Sequence, residues 1–441
     1  MSDWWCEHAW LGGNTVADAV TVSVDDGAIV AVRPDSPPTG TVLHGLVIPG
    51  LANAHSHAFH RALRSRTQRG HGSFWTWRTL MYAVAQRLTP DTYRALARAV
   101  YAEMALAGIT AVGEFHYLHH DAAGRRYADP NAMGHALIDA ATAAGLRLTL
   151  LDTCYLSSGI DGARLQDGPQ RRFGDGDADQ WAQRVDALRA PDSVTIGAAI
   201  HSVRAVPADQ MGTVADWAAR RKAPLHIHSS EQTGEVEQCL AVHGCTPTAL
   251  MRDHGVLGAR TTAVHATHLT ERDVADLTGS ATGVCFCPTT ERDLGDGIGP
   301  AAALIEGTFS LGSDSHAIID LFEEARAVEL DERLHRRERG LFPAARLLEC
   351  ATVDGHRALG RPGSGVLRVG ARADLVAVDL NSVRTAGGGP TPETAVFAAG
   401  AADVTDVVID GRPVVVDRTH VDVPDTGAAL TAAIRAVLED R

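Results

Sequence analysis

Lysine is almost absent from this 441-residue chain: it carries one, Lys222, and its other basic side chains are arginines. A Walker-type phosphate loop needs Gly-Lys-Ser/Thr, and Lys222 is followed by Ala223, so NTP hydrolysis of that kind is excluded. Schiff-base chemistry, pyridoxal-phosphate enzymes included, would have to use this one residue. A basic stripe is also missing. The formal net charge is −14, which argues against nucleic acid as a partner. No apolar run reaches the roughly 18 residues of a spanning helix. The segment Met1–Trp10 has neither a basic n-region nor an apolar h-region. The seven cysteines are odd in number and lack Cys-x-x-Cys spacing. They read as reduced thiols with no zinc ribbon. A cytoplasmic protein with no membrane partner is expected.

What is present is strand text at both ends and alternation between them. Thr21–Val24 and Ala28–Val32 flank an Asp25-Asp26-Gly27 turn, a hairpin signal. Ala373–Asp379 and Val407–Val416, the latter with Asp410-Gly411 inside, repeat the pattern near the C-terminus. Both ends together suggest one small β-sandwich. Between them lie eight strand candidates: Leu46–Ala54, Ala111–Phe115, Arg147–Asp152, Val194–Ile200, Leu225–His228, Thr262–His265, Gly283–Phe286 and Phe309–Ser313. None is joined to the next by a hairpin turn, so parallel strands with helical crossovers are expected. Thr89-Pro90 opens one such helix and Gly108 closes it. The class is α/β, read as a (β/α)8 TIM barrel, with an open doubly wound sheet as the alternative. The expected organisation is 1–48 for the first part of the sandwich, 49–362 for the barrel, and 363–441 for the rest of the sandwich plus a terminal helix.

Histidine is in excess, with 21 residues in short clusters. His55-Ser56-His57 ends the first strand candidate, and residues i and i+2 of a strand face the same side. Later candidates end in His201-Ser202-Val203-Arg204, His226-Ile227-His228-Ser229-Ser230-Glu231, His265-Ala266-Thr267-His268 and Ser313-Asp314-Ser315-His316. Buried imidazoles and carboxylates are costly unless paired or bound to metal. Five such strand ends at one edge of a barrel point to a mouth-side centre for metal-assisted hydrolysis. Three nitrogens and a carboxylate suit zinc or iron. Cys285-Phe286-Cys287 reads as core thiols before a second metal site, and His116, His119, His120, His268 and His316 as residues around the mouth. Trp75, Trp77 and Tyr82 read as a packed loop or subunit contact.

The set His55-x-His57, His228-x-x-Glu231, His265 and Ser313-Asp314 resembles the amidohydrolase superfamily, and its deaminase branch in particular. The β-rich ends and Gly370–Val376 resemble it too. The resemblance implies that His55, His57, His228 and Asp314 hold one divalent metal, with Glu231, His265 and Asp314 catalytic. Binuclear members bridge two metals through a carboxylated lysine on the fourth strand. Val194–Ile200 contains no lysine, so a one-metal site follows, and Lys222 reads as a solvated charge at a helix end.

Further motifs are similar to those of the formimidoylglutamate deiminases: Ser73–Arg78, Glu114–His120, Gln170–Phe173, His201–Val206, His228–Gln232 and Leu294–Gly297. That resemblance implies a hydrolase of linear amidines, acting on N-formimino-L-glutamate in histidine degradation and releasing ammonia. Tyr117, His201, Arg204 and Arg78 would hold the two substrate carboxylates. The bottom-up reading agrees, since a dianion in an acidic chain needs bidentate guanidinium donors; a surface arginine is the plainer reading of Arg78. Asp314 would accept the proton of the attacking water, Glu231 would protonate the imine nitrogen, and His265 would steady the oxygen. His60 stands where that family often has glutamine, as a substrate contact or a packing substitution. The same resemblance implies a homodimer, with Arg78 near its interface. The alternative is another one-metal deaminase acting on a purine, pterin or related heterocycle.

Overall fold

The computed structural model describes residues 2–68, 74–165 and 167–439. Ser73 and the side chains of Phe74 and Trp75, singled out in the sequence, lie outside the described residues.

The N-terminal segment forms β1 (Ser2–Gly12), β2 (Thr15–Asp25), β3 (Ala28–Arg33) and β4 (Thr41–Pro49). β2 and β3 pair antiparallel, with Asp25 opposite Ala28. Asp26 and Gly27 sit at φ 47° and 72° between them, the left-handed pair that a tight hairpin turn requires.

Eight parallel strands follow: β5 (Leu51–Ser56), β6 (Ile109–His116), β7 (Arg147–Cys154), β8 (Thr195–Ser202), β9 (Leu225–Ser229), β10 (Thr261–His265), β11 (Gly283–Phe286) and β12 (Phe309–Leu311). They lie side by side in chain order. β6 and β7 are buried at every residue, as expected where helices cover one face and the barrel interior the other. One crossover helix, Pro90–Leu106, starts from a Thr89–Thr92 capping box with proline in its first turn, and the chain leaves it through Gly108 at φ 83°. The sheet closes on itself. Ser56 bridges Asp314 in parallel, and the N–H groups of Ser313 and Asp314 donate to the His55 carbonyl at 3.1 and 3.0 Å. This closure makes a barrel and disposes of the open-sheet alternative.

The C-terminal segment adds β13 (Leu375–Val378), β14 (Val404–Ile409), β15 (Arg412–Val416) and β16 (Thr419–His420). β13 pairs antiparallel with β4, placing Val378 opposite Leu46 and Leu375 opposite Pro49. Both termini therefore build one continuous sheet, ordered β16-β15-β14-β13-β4-β1-β2-β3. The helix Thr426–Leu438 follows and packs on Pro90–Leu106.

Two expectations need correction. Leu46–Ala54 is not one strand: it divides at Gly50 between β4 of the terminal sheet and β5 of the barrel. The backbone there runs so close to β6 that a Cβ on Gly50 would lie 2.2 Å from Thr110 Oγ1, and Gly50 N–H donates to Asp374 O at 3.0 Å. An uninterrupted apolar run hides this break, because both halves are buried. The aromatic segment expected as a loop is instead the start of a helix, Phe74–Arg87.

Arg147, the first residue of β7, joins the two sheets from beneath. Its guanidinium pairs with both oxygens of Asp374 and donates to Asp410 at 2.6 Å. Lys222 is the exposed left-handed C-cap of helix Ala208–Arg221, and β8 contains no lysine. Among the described residues no helix is long and apolar enough to cross a membrane.

Candidate metal centre and substrate pocket

The strand ends at the closing seam bring His55, His57, His228 and Asp314 together, with one ligand atom from each within 4.8 Å of all the others. His55 Nε2 and His57 Nε2 both lie 3.3 Å from Asp314 Oδ1, and His228 Nε2 lies 3.1 Å from His55 Nε2. Such separations suit donors that share one ion at metal–ligand bonds of about 2.0–2.1 Å. The tautomers also fit. His57 Nδ1–H donates to Phe115 O at 2.9 Å and His228 Nδ1–H to His201 O at 2.8 Å, which leaves both Nε2 lone pairs free for the shared centre. Burial opposes ionisation of Asp314, but the imidazoles of His55, His57 and His265 outweigh it and hold the carboxyl well below its ordinary value. Burial pushes His55 down to about 3, keeping the imidazole neutral as a ligand must be. The donors present therefore suit a divalent metal.

The backbone around this centre is strained. Ser230, His265, Ala266, Asp314 and His316 all have positive φ, between 36° and 70°. Non-glycine residues rarely adopt this region, and clusters of them mark functional sites.

Beside the ligands lie two further groups. His265 Nε2 is 3.9 Å from Glu231 Oε1 and 4.0 Å from Asp314 Oδ2, while its Nδ1 is 3.3 Å from Glu291 Oε1. Burial works against a charged His265, yet Glu231, Glu291 and Asp314 together raise its pKa well above the usual value. Burial raises the Glu231 carboxyl, which favours its protonated, acid form.

A cavity of about 60 Å³ opens from this centre; one water needs roughly 10–15 Å³. Its wall holds His57, His228, Glu231, His265 and Asp314 together with His60, Arg78, Tyr117, His201 and Arg204. All five substrate contacts expected from the sequence thus face the cavity. His60 Nε2 is 3.0 Å from Tyr117 Oη. Arg78 donates to Tyr82 Oη at 2.8 Å through Nε and stacks over that ring at 4.9 Å. Arg204 Nε donates to Glu235 Oε2 at 2.6 Å, and its Nη2 lies 3.8 Å from Glu231 Oε2. Glu235 also accepts the Ser230 N–H at 2.8 Å, so one buried carboxylate fixes both Arg204 and the loop after β9.

Several wall residues escaped sequence reasoning. Trp77 and Tyr82, read as a packed loop or subunit contact, line the cavity from helix Phe74–Arg87. Tyr155 and Phe173 line it as well. Tyr155 directly follows β7, so the strand-end rule that found the histidines would have found it had aromatics been counted. Glu235 and Glu291 look in the sequence like ordinary acids in the first turn of a helix. Other clusters do not line this cavity. His119 bonds Thr153 O, His120 bonds Gly174 O and His268 bonds Asp296 O. His316 Nε2 lies 3.1 Å from Ser56 Oγ. Cys285 and Cys287 pack with Ala54, Val264 and Ala358.

The profile described as "Amidohydrolase family" matches residues 46–414. Formimidoylglutamate deiminase of Pseudomonas aeruginosa is 38% identical over 432 residues, covering 94% of each chain. The 5-methylthioadenosine/S-adenosylhomocysteine deaminase of Halobacterium salinarum is 29% identical, covering 96% of this chain and 94% of its own. The crystal structure of an amidohydrolase from Brucella melitensis superimposes with a TM-score of 0.92 at 33% identity, covering 100% of both chains. An adenosine deaminase from Xanthomonas campestris with bound zinc gives a TM-score of 0.84 at 25% identity, covering 98% of this chain and 97% of that one.

Proposed function

Given that this chain belongs to the amidohydrolase family, and is a deaminase of that superfamily, we propose that it hydrolyses N-formimino-L-glutamate to N-formyl-L-glutamate and ammonia. The observation that carries the reading is the pair of guanidinium groups, Arg78 and Arg204, in the wall that also holds Glu231 and His265. In a chain of net charge −14, two arginines at one small cavity suit a substrate with two carboxylates. The 38% identity to a formimidoylglutamate deiminase supports it.

His55, His57, His228 and Asp314 would hold one divalent metal, zinc by donor type. When bound, the metal would lower the pKa of a water toward neutrality. Asp314 accepts the proton of the attacking water. Glu231 delivers a proton to the imine nitrogen, and His265 Nε2 donates to the oxygen that adds to the amidine carbon. Arg78, Arg204, His201, Tyr117 and His60 bind and orient the carboxylates. As the carbon–nitrogen bond breaks, the proton held by Asp314 passes to the departing nitrogen, which leaves as ammonia, while the added hydroxyl returns its proton to Glu231 and becomes the formyl oxygen.

The aromatic wall of Trp77, Tyr82, Tyr117, Tyr155 and Phe173 gives a second reading, a heterocycle deaminase, some support. An ammonia-release panel separates the two: formimino-L-glutamate, formimino-L-aspartate, guanine, cytosine and 5′-methylthioadenosine. Formimino-L-glutamate is expected to be the best substrate. Turnover of a base or nucleoside with both formimino acids untouched would overturn the proposal.

A further inference from the structure

Several buried histidines in this protein satisfy a ring nitrogen in the same way. His57, His119, His226, His228 and His356 each give a ring nitrogen to a backbone carbonyl. His265 does not. Among the described buried histidines it alone has carboxylate oxygens within 4.0 Å of both ring nitrogens, Glu291 on the Nδ1 side and Glu231 and Asp314 on the Nε2 side.

The Glu291 carboxylate is itself fixed. Its Oε1 accepts the Cys287 N–H at 2.8 Å, while its own N–H donates to Cys287 O at 2.9 Å. This reciprocal clasp holds the oxygen 3.3 Å from His265 Nδ1. The ring is presented from a backbone at φ 70°, in the left-handed region that favours glycine. A histidine needed only for packing would require neither the strain nor the second carboxylate.

We propose that Glu291 is a positioning residue for His265, holding the proton on Nδ1 and fixing the ring so that its Nε2 edge faces the oxygen that adds to the substrate. A ring prearranged beside that oxygen meets its change of charge without reorganisation. A carboxylate held behind the ring selects both its orientation and its tautomer. The inference rests on the hydrolytic reading of the site but not on the identity of the substrate.

Glu291→Gln keeps a hydrogen-bond acceptor and removes the charge. With whichever member of the substrate panel releases ammonia, kcat is expected to fall about 10–100-fold, with KM within about twofold of the parent and metal content unchanged. The second arm repeats the substitution in a His265→Ala background. If Glu291 acts through His265, it changes the residual rate there by less than about twofold. Near-parental kcat for Glu291→Gln, an equal fold-loss in both backgrounds, or loss of bound metal overturns the proposal. Should the variant fail to fold, ¹⁵N spectra of the unmodified holoenzyme decide, with the His265 signals assigned by their absence in His265→Ala. A protonated Nδ1 is expected, and an Nδ1 without its proton overturns the idea. A failed substrate reading would appear only in the panel, so the two failures are distinguishable.

Discussion

His55 and Asp314 meet twice: the Asp314 N–H donates to the His55 carbonyl at 3.0 Å, and their side chains face each other with His55 Nε2 3.3 Å from Asp314 Oδ1. The first contact closes the barrel between β12 and β5, and the second belongs to the candidate metal centre. Fold closure and ligand geometry are therefore one feature, since β12 is only three residues long and its seam depends on the segment that carries Asp314.

Chelation should therefore affect more than activity. Removing the metal is expected to abolish ammonia release and lower Tm, because a ligand bound only to the folded state stabilises by mass action, about 4 kcal/mol at a thousandfold excess over Kd. Thermal unfolding with and without chelator, followed by zinc add-back, tests this. An unchanged Tm after proven metal loss would show that the seam stands without it.

Glu231→Gln removes the proposed proton donor and keeps the side-chain shape. A kcat loss of about 10²–10⁴-fold with full metal content is expected. An active, metal-replete variant would sink the assignment of Glu231.

Arg204 is the first carboxylate contact to test. Replacing it with methionine should raise KM about 10–100-fold, the worth of a charge-assisted hydrogen bond of roughly 1.5–3 kcal/mol. Arg204→Lys keeps the charge but loses the fork that meets Glu235 and the substrate together, so it should recover only part of the loss. Steady-state kinetics on formimino-L-glutamate give the comparison, and an unaffected KM in both variants would remove Arg204 from the binding site.

His60 lies 3.0 Å from Tyr117 Oη at the cavity wall. A glutamine amide offers a donor at similar reach. His60→Gln should keep kcat/KM within about tenfold, whereas His60→Ala, which removes the donor, should lose more. Equal losses in the two would show that ring shape, not hydrogen bonding, is what matters.

Arg147 carries a prediction about stability. Its buried pairing with Asp374, shared with Asp410, ties the barrel to the terminal sheet. Truncation to alanine leaves Asp374 buried without its partner and should cost about 3–5 kcal/mol. Burial opposes ionisation of Asp374, but Arg147 outweighs it and holds the carboxyl below its ordinary value. A depressed folded-state pKa means this stabilisation is present above about pH 4, the unfolded aspartate value, and is lost as pH falls through the lower folded value. Denaturant titrations of both proteins at pH 7 and at acid pH check the sign, since the difference between them should shrink in acid.

Local chemistry alone carried much of this protein. The i, i+2 pair His55 and His57, the ends of β8, β9, β10 and β12, and the hairpin at Asp26-Gly27 were all legible, because strand periodicity and turn preference act over a few residues. The absence of lysine from β8 was legible as well. Other features required the folded barrel. The run Leu46–Ala54 reads as one strand because both halves are apolar, and only the approach of Thr110 to Gly50 shows where it divides. Glu235 and Glu291 resemble any acid opening a helix, yet one fixes Arg204 and the other faces His265. Sequence determined which residue types end each strand. Tertiary packing alone decided which carboxylate faces which cation, because those pairs span separate β/α units and no local preference encodes the distance between them.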